Sequence, residues 1–343
     1  MLISSGNRFW SGDNGPAGRA RCENPYREPG SLYRHPSDGS MTSWIPLETG
    51  CLPAPNYIGM IRQAQIDLMV DGTSKKFIRD PEGLNFLRNR TILILGDSVD
   101  RNSLQHFCQL ISRPIRLTTW GGSNQTDNLD HRGLPHLCRI DELDFSAVNG
   151  FHYGMDDIDL FNDPNRHPDW HSPGKFEDRL EELISPYLRS HIPGSRRKPS
   201  LVVWSSGLWD VAFFGTEDER RNSSFHSALD RGRLDWWMSR ARQTITSTRH
   251  HFPDSLLVMR MMHRVNGDSE ETGWMQDVRV HQIREAQSEL AREVDFFEVL
   301  DFGTIFEGYQ QYQEKVHPLP NPGSIIFQAY LHYLKLAVQY DLI

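Results

Sequence analysis

Apolar runs of four or five residues alternate along the chain with longer stretches whose apolar residues recur at helical spacing. The short runs are rich in aliphatic and aromatic residues, as strands are, and lie at 91–95, 115–119, 201–204, 255–259 and 297–301. The longer stretches lie at about 99–112, 176–190, 232–248, 279–293 and 324–340. In the first of them, apolar residues follow the i, i+3, i+4, i+7 pattern of an amphipathic helix, at Leu104, Phe107, Cys108 and Ile111. Strands separated by helices predict an α/β fold with a parallel sheet covered by helices on both faces.

Two segments depart from this alternation. Residues 1 to about 60 are rich in Gly, Pro, Ser and Arg, and residues 57–88 carry mixed helical signals. We expect residues 1–88 to form a loop-rich N-terminal segment packed on a catalytic domain of residues 89–343. Disordered segments are poor in aromatic residues, so the expected anchors of this segment are Phe9, Trp10, Tyr26, Tyr33 and Trp44. Residues 120–175 are polar, and we expect an insertion with little regular structure that shapes a site.

Length and charge exclude several classes of protein. With 343 residues, the chain can bury a large core and does not depend on disulfide bonds or metal ions to fold. Its 37 basic and 45 acidic residues give a net charge of −8, which argues against a nucleic-acid-binding surface. The apolar runs are far shorter than the ~20 residues that cross a bilayer, so we expect no membrane span in this chain.

The cysteine count leaves the redox compartment open. Four cysteines permit three pairings, and their order allows two local pairs, Cys22 with Cys51 and Cys108 with Cys138. No C-x-x-C motif occurs, so a zinc ribbon or a thiol redox motif is not expected. The alternative is a set of buried free thiols in a cytoplasmic protein.

Three glycosylation sequons accompany the cysteines, at Asn89, Asn124 and Asn222. Together with paired cysteines, they favour the secretory pathway, in the Golgi lumen or outside the cell. No signal-peptide core follows Met1, so the chain either is cytoplasmic or begins after a targeting segment.

The stretch "TILILGDSVDRN" places a serine where the first predicted strand turns into a helix. Ligands of open α/β sheets bind outside the carboxyl ends of the strands, and Ser98 lies there. Gly96 allows a sharp turn, and the helix N-terminus offers N–H groups suited to a developing oxyanion. The alternative is that Asp97 or Ser98 only caps the helix.

A second motif, "QEKVHPLPNPGS", lies near the other end of the chain. Glu314 precedes His317 by three residues, and Pro318 stops a helix there. A carboxylate at this spacing can hold Nδ1 of an imidazole while Nε2 acts as general base. A serine at a strand end with a downstream acid and histidine is the constellation of acyl transfer. The chain has no G-x-S-x-G motif, so the α/β-hydrolase elbow is not available.

These blocks resemble the SGNH/GDSL hydrolase superfamily over about residues 89–343. The block "GDSVDRN", supported by "VVWSSGLWDV" and "LLVMRMMHRV", is similar to its PC-Esterase branch. That branch includes plant trichome-birefringence-like polysaccharide O-acetyltransferases and sugar O-acetyltransferases of animals and fungi, and we expect a fungal member. The resemblance implies a flavodoxin-like three-layer α/β/α sandwich with a parallel sheet of about five strands. It also implies Ser98 as nucleophile, His317 as base and Glu314 in place of the usual aspartate.

The resemblance further implies an oxyanion hole, in which this chain departs from the family pattern. Many SGNH enzymes carry Gly-x-Asn-Asp after the third strand, whereas this chain has Gly207-Leu208-Trp209-Asp210. Ser205 or Ser206 would replace the missing asparagine donor. Backbone N–H groups of Ser98 and of Gly121 or Gly122 are the other candidate donors.

Further candidates surround the predicted nucleophile. Arg101 and Asn102 lie in the first helical turn, where a cation opposes the helix dipole, and are either site residues or solvated. Trp209 and Asp210 are expected either to line a pocket or to orient the base. The alternative for Trp209 is that its ring is only part of the core packing. The histidine clusters lack metal-ligand spacing, so no metal is expected. The stretch 151–171 either stacks on a sugar or packs on its own aromatic residues.

The expected function is a serine-dependent esterase or transferase of O-acyl groups, specifically O-acetyl groups, on carbohydrate, without a cofactor. Its partners would be a glycan ester and an acyl donor. One alternative is a catalytically impaired carbohydrate-binding or structural protein on the same scaffold. A third hypothesis is a cytoplasmic lipase-like hydrolase with four reduced cysteines.

Overall fold

The computed structural model describes residues 22–35, 42–71, 83–117, 133–158, 160, 173–224, 226–265, 274–309 and 312–343. Six residues named above, which are Met1, Phe9, Trp10, Gly121, Gly122 and Asn124, lie outside the described residues.

The described residues form eleven β-strands, and those at the centre of the molecule are fully buried. In chain order they are β1 (Gly30–Tyr33), β2 (Ser43–Pro46), β3 (Thr91–Gly96), β4 (Arg116–Leu117), β5 (His136–Ile140), β6 (Phe145–Phe151), β7 (Leu201–Trp204), β8 (Leu256–Arg260), β9 (Glu298–Leu300), β10 (Gln313–Glu314) and β11 (His317–Pro318).

Nine α-helices occur in the same part of the chain. They are α1 (Tyr57–Asp71), α2 (Ser98–Leu110), α3 (Phe176–Asp178), α4 (Ser185–His191), α5 (Leu208–Arg220), α6 (Arg231–His251), α7 (Asp277–Glu293), α8 (Phe302–Ile305) and α9 (Pro320–Gln339). A π-helical turn, Arg179–Ile184, joins α3 to α4. Local chemistry sets several starts: the side chain of Asp97 accepts a hydrogen bond from Val99 N at the start of α2, and prolines occupy the first turn of α9.

The central sheet has the strand order β4-β5-β6-β3-β7-β8-β9. Strands β6, β3, β7, β8 and β9 run parallel, whereas β4 and β5 are antiparallel additions at one edge. Numbered by their sequence, the five parallel strands follow the flavodoxin-like order 2-1-3-4-5. Helices α1, α2 and α9 pack together, as do α5 with α7 and α6 with α7, and these groups flank the sheet. The predicted three-layer α/β/α sandwich is therefore confirmed.

Strand β6, which pairs with β3 in the sheet, was not predicted, and it lies within residues 120–175. We expected little regular structure there, but β5 and β6 both lie in this segment. All seven residues of β6 are buried, yet Ser146, Asn149 and Gly150 interrupt its apolar pattern and conceal the strand. Asn149 Nδ2 donates to the Ile94 carbonyl at 3.3 Å, which satisfies a polar group inside the sheet.

Two other elements differ from the predicted pattern. The run 115–119 was expected to be a strand of the parallel sheet; of its described residues, 115–117, Arg116–Leu117 pair antiparallel to β5. Helix α5 was not predicted, although only Ser205, Ser206 and Gly207 separate it from β7.

Polar contacts attach the N-terminal segment to the sheet, and neither of the two disulfides joins the segment to it. Both local disulfides are present, Cys22–Cys51 and Cys108–Cys138. Asn24 Nδ2 and Arg27 Nε donate to the buried carboxylate of Glu298 on β9 at 2.8 and 2.9 Å. Of the expected aromatic anchors in the described part, Tyr26 and Trp44 are buried, whereas Tyr33 is 48% exposed and does not anchor the segment.

The sequons and the compartment remain predictions. Asn89 and Asn222 are exposed, with φ angles of 58° and 54°. None of the helices described above is both long and apolar enough to cross a membrane.

Candidate active site

The carboxyl edge of the sheet brings β3 next to β6 and β7. Strand β3 ends at Gly96, Asp97 caps the next helix, and Ser98 is the first residue of α2. The chain order of the parallel strands reverses here, and such switch points are where open α/β sheets form ligand sites. Ser98 is half-buried, so its hydroxyl is held by the fold and remains accessible.

The structure brings Ser98 and His317 together, although 219 residues separate them. His317 Nε2 lies 2.7 Å from Ser98 Oγ. The imidazole is carried by β11, the second strand of a two-stranded hairpin with β10, and Lys315 takes a φ of 58° in the turn. With Nε2 unprotonated, the Ser98 hydroxyl donates to it, and this arrangement allows proton transfer from oxygen to nitrogen.

Burial and three neighbouring charged side chains set the pKa of His317. Burial lowers the pKa below its ordinary value; Asp97 raises it, Arg101 lowers it, and Glu314 raises it least. The net effect is a lowered pKa, which keeps the ring neutral and able to accept a proton at neutral pH. His106 lies nearby, and burial together with His317 lowers its pKa to about 4, so it adds no competing cation at neutral pH.

Glu314 lies directly across the hairpin from His317 in the strand register. Opposed residues of an antiparallel pair have Cβ atoms about 5 Å apart, yet no hydrogen bond joins these two described side chains. The carboxylate is exposed to water. Glu314 therefore acts on the imidazole as a solvated charge, and the predicted hydrogen bond to Nδ1 is absent.

We expect Glu314→Gln to lower kcat by less than about threefold, because a solvent-exposed charge is strongly screened. Asp97→Asn is the matched comparison: it also removes one charge, but from a buried residue with the stronger effect on the pKa of His317. Steady-state kinetics across pH would compare the two. A tenfold loss in Glu314→Gln alone would make this carboxylate part of the proton-transfer machinery.

A buried ion pair lies directly behind Ser98. Arg260, at the end of β8, donates from Nε and Nη2 to both carboxylate oxygens of Asp100 at 2.8 and 2.7 Å. Its Nη2 also lies 3.4 Å from Asp97 Oδ1, and Tyr330 OH donates to Asp100 Oδ1 at 2.8 Å. Burial alone would lower the pKa of Arg260, but the two carboxylates outweigh it and raise the pKa. The ion pair thus fixes the first turn of α2, which carries Ser98.

Gly96 is required by this ion pair. A Cβ at Gly96 would collide with the carboxylate of Asp100. Arg260 lies in the block "LLVMRMMHRV" but was given no role from the sequence, and neither Asp100 nor Tyr330 was singled out. The available signal was an arginine ending a buried apolar run, because such a charge needs a buried partner.

The residues after β7 build the wall of the site. Ser206 Oγ donates to Asp210 Oδ2 at 2.7 Å, and Asp210 also accepts from Met155 N at 2.7 Å and Trp237 Nε1 at 3.0 Å. Asp210 is 1% exposed and its oxygens are engaged in these contacts, so it holds two loops together and does not orient His317. The Ser206 hydroxyl is likewise engaged with Asp210.

Two glycines shape this edge of the sheet. Gly207 has a φ of 150°, and a Cβ there would lie 2.8 Å from Met262 Sδ. Gly154, which follows β6, has a φ of 88°, and a Cβ there would lie 2.5 Å from Asp210 Oδ1. The candidate donors Gly121 and Gly122 lie outside the described residues, so their role stays a prediction. Gly154 was not singled out from the sequence, because β6, the strand that ends beside Ser98, was not predicted.

Aromatic and cationic side chains lie beside the predicted dyad. The Arg101 guanidinium lies 5.4 Å from the centre of the Phe151 ring, and Arg101 Nε and Nη2 lie 3.4 Å from Asn102 Oδ1. Tyr153 contacts Trp209 edge-on, with ring centroids 5.1 Å apart. Arg101, Asn102, Tyr153 and Trp209 are all half-exposed. In the described ranges no group of three His, Cys, Asp or Glu side chains could hold a metal ion.

Comparison with known proteins gives similarity in structure only. No family model matches the chain, and no curated protein matches its sequence. Among solved structures, the chain is similar to a carbohydrate esterase family 3 protein from Talaromyces cellulolyticus, with 11% identity, a TM-score of 0.37, and coverage of 74% of this chain and 99% of that one. A member of the lipolytic G-D-S-L family from Veillonella parvula has 14% identity, a TM-score of 0.33, and coverage of 73% and 97%. A GDSL-like lipase from Bacteroides thetaiotaomicron has 9% identity, a TM-score of 0.34, and coverage of 82% and 99%.

Proposed function

We propose that this protein transfers acyl groups through a serine-bound intermediate, with Ser98 as nucleophile and His317 as general base. The observation that carries the proposal is the 2.7 Å contact between Ser98 Oγ and His317 Nε2 at the N-terminus of α2. The lowered pKa of His317 supports it, because a base must be neutral at working pH. The sequence blocks that resemble SGNH/GDSL hydrolases of the PC-Esterase branch support the same assignment.

The proposed reaction has two steps. Ser98 Oγ attacks the ester carbonyl carbon while its proton moves to His317 Nε2, and the oxyanion faces the first-turn N–H groups of α2. The C–O bond to the alcohol then breaks, and the imidazolium returns the proton to the leaving oxygen. Water or a sugar hydroxyl attacks the acyl-serine while its proton moves to His317 Nε2. The bond between the acyl carbon and Ser98 Oγ then breaks, the imidazolium returns the proton to Oγ, and the product is a carboxylic acid or a new ester.

The proposed substrate is an O-acetyl ester of a carbohydrate. Half-exposed Trp209 and Tyr153 supply aromatic rings beside the site, and such rings stack on the apolar faces of sugars. Arg101 and Asn102 add hydrogen-bond donors one helical turn from the nucleophile. Secretory localisation is part of this proposal, and the two disulfides support it.

A second candidate is a carbohydrate-binding protein that has lost catalysis. Two observations favour it: the Nδ1 side of His317 lacks the hydrogen bond to Glu314, and the Ser206 hydroxyl is already engaged with Asp210. Both features would weaken a triad and its oxyanion hole.

Labelling with a fluorophosphonate probe separates these candidates. We expect the probe to label wild type at Ser98 and not to label Ser98→Ala. The variant Ser103→Ala, on the same helix, should be labelled to the same extent as wild type. Ser103 is a matched control because its buried hydroxyl has no hydrogen-bond partner among the described residues. Release of acetate from an acetylated xylo-oligosaccharide, or acetyl transfer to an unacetylated one, then identifies the acceptor. Folded wild type that stays unlabelled would favour the binding protein.

A further inference from the structure

Residues 260–263, from the last residue of β8 onward, contact the elements that carry both partners of the proposed dyad. At the start of this segment, Arg260 binds Asp97 and Asp100, which flank Ser98 in the chain. Three residues later, His263 Nε2 lies 2.9 Å from the carbonyl oxygen of Val316, the residue before His317. One short piece of backbone thus holds the helix that carries the nucleophile and the hairpin that carries the base.

The hydrogen bonding of His263 is incomplete. Its side chain is fully buried and packs edge-on against the rings of Phe302 and Phe306, with centroids at 5.2 and 5.8 Å. Because a carbonyl oxygen can only accept, Nε2 carries the proton and Nδ1 is unprotonated. Within the described part of the chain, Nδ1 has no hydrogen-bond partner. Burial lowers the pKa of His263 to about 3, so the ring remains neutral.

A buried nitrogen without a partner destabilises the protein, and an apolar ring would fill the same space without that cost. The hydrogen bond from the His263 side chain to the Val316 carbonyl is therefore what distinguishes histidine from an apolar ring at this position. Its acceptor belongs to a hairpin with only two residues in each strand. Gln313 Nε2, which donates to the Arg264 carbonyl at 2.8 Å, is a second link between the same two segments.

We propose that His263 is a positioning residue: through the Val316 carbonyl, it keeps the imidazole of His317 within hydrogen-bonding distance of Ser98. The inference rests on the proposed function, since it assigns a role to His263 in the proton transfer of that reaction. No hydrogen bond joins Nδ1 of His317 to Glu314, so the ring depends on its backbone for orientation.

The test compares His263→Phe, which keeps a ring but lacks the donor, with His263→Gln, whose amide nitrogen can reach the position of Nε2. We expect His263→Phe to lower kcat about 10- to 100-fold with KM changed less than about twofold, because small misplacement of a catalytic group slows the reaction. His263→Gln should recover kcat to within about fivefold of wild type, since it restores the donor.

His332→Phe is the matched control. His332 is another buried histidine, with Nε2 3.1 Å from the Glu23 carbonyl, and it lies about 18 Å along α9 from the start of that helix. It should lose stability and keep kcat. Equal kcat in wild type and His263→Phe, or equal impairment in His263→Phe and His263→Gln, would overturn the inference.

Two further measurements keep the test decisive. If His263→Phe does not fold, His263→Asn takes its place in the test. The amide nitrogen of asparagine matches the position of Nδ1 and not of Nε2, so His263→Asn should have a lowered kcat, whereas His263→Gln should recover it. Absence of turnover and of labelling in wild type would reject the proposed function itself. Crystal structures of the variants would then decide the inference, which requires the Ser98–His317 contact to be kept in His263→Gln and lost in His263→Phe or His263→Asn.

Discussion

Replacing Ser98 or His317 with alanine is expected to reduce kcat for an acetyl ester by about 10⁴- to 10⁶-fold. The reason is that the two groups act as one unit: without the base the hydroxyl is a weak nucleophile, and without the hydroxyl no acyl-enzyme forms. The double variant should therefore be no slower than the slower single variant. Steady-state kinetics with p-nitrophenyl acetate would measure all three.

The controls for this experiment are stability and binding. Ser98 and His317 are half-buried, and each alanine variant should unfold within about 1 kcal/mol of wild type. Affinity for an acetylated oligosaccharide should also persist, because the aromatic residues that are proposed to bind it remain. Additive losses in the double variant would mean that Ser98 and His317 contribute independently and do not form a dyad.

Replacing Arg260 with methionine is expected to lower the free energy of unfolding by about 3–5 kcal/mol, because it leaves buried carboxylates without their counter-charge. Asp100 and Arg260 are both fully buried, and Asp97 is 3% exposed, so water does not replace the lost contact. Chemical denaturation at pH 7 would measure the effect.

Two comparisons identify the cause of that loss. Arg242→Met breaks an exposed ion pair, with Glu293 at 2.7 Å, and should cost less than about 1 kcal/mol. The double variant Arg260→Met with Asp100→Asn should be more stable than Arg260→Met alone, because one unpaired charge is removed. If the double variant were the less stable of the two, lost packing and not the unpaired charge would account for the effect.

The pH dependence has a definite sign. Burial raises the pKa of Asp100, and without Arg260 nothing of opposite charge counteracts this effect. A carboxyl group whose folded-state pKa lies above its unfolded value destabilises the fold once the pH rises above the unfolded value. The difference in stability between Arg260→Met and wild type should therefore shrink as the pH falls from 7 towards about 4, the unfolded pKa of an aspartate.

The sequence was most informative where neighbours along the chain supply the structure. The apolar run of β3, the turn at Gly96 and the amphipathic start of α2 are adjacent, so their pattern placed Ser98 at a strand end. The same holds for the long helices, whose apolar spacing alone predicts them to within a few residues at most ends. The fold class followed, because strands alternating with helices can cover both faces of a sheet in few ways.

Contacts between distant residues were less predictable. The position of β6 beside β3 could not be predicted from the sequence, because polar residues and a glycine interrupt the apolar pattern of a strand that is nevertheless fully buried. The pairing of Arg260 with Asp100 joins residues 160 positions apart, and it depends on strand order, which periodicity does not specify. The proximity of Glu314 and His317 was anticipated, but the absence of a hydrogen bond between them follows from a hairpin that leaves the carboxylate in water.

The chain's local pattern was thus sufficient to locate a serine at the mouth of an α/β sheet and a histidine on a loop far away. Their contact at 2.7 Å, the ion pair behind them and the buried histidine that holds the loop come only from the folded arrangement. The physical reason is that turns, caps and amphipathic faces depend on interactions within a few residues. Pairing of distant side chains depends instead on which strands become neighbours and on which polar groups lose their water when the layers close.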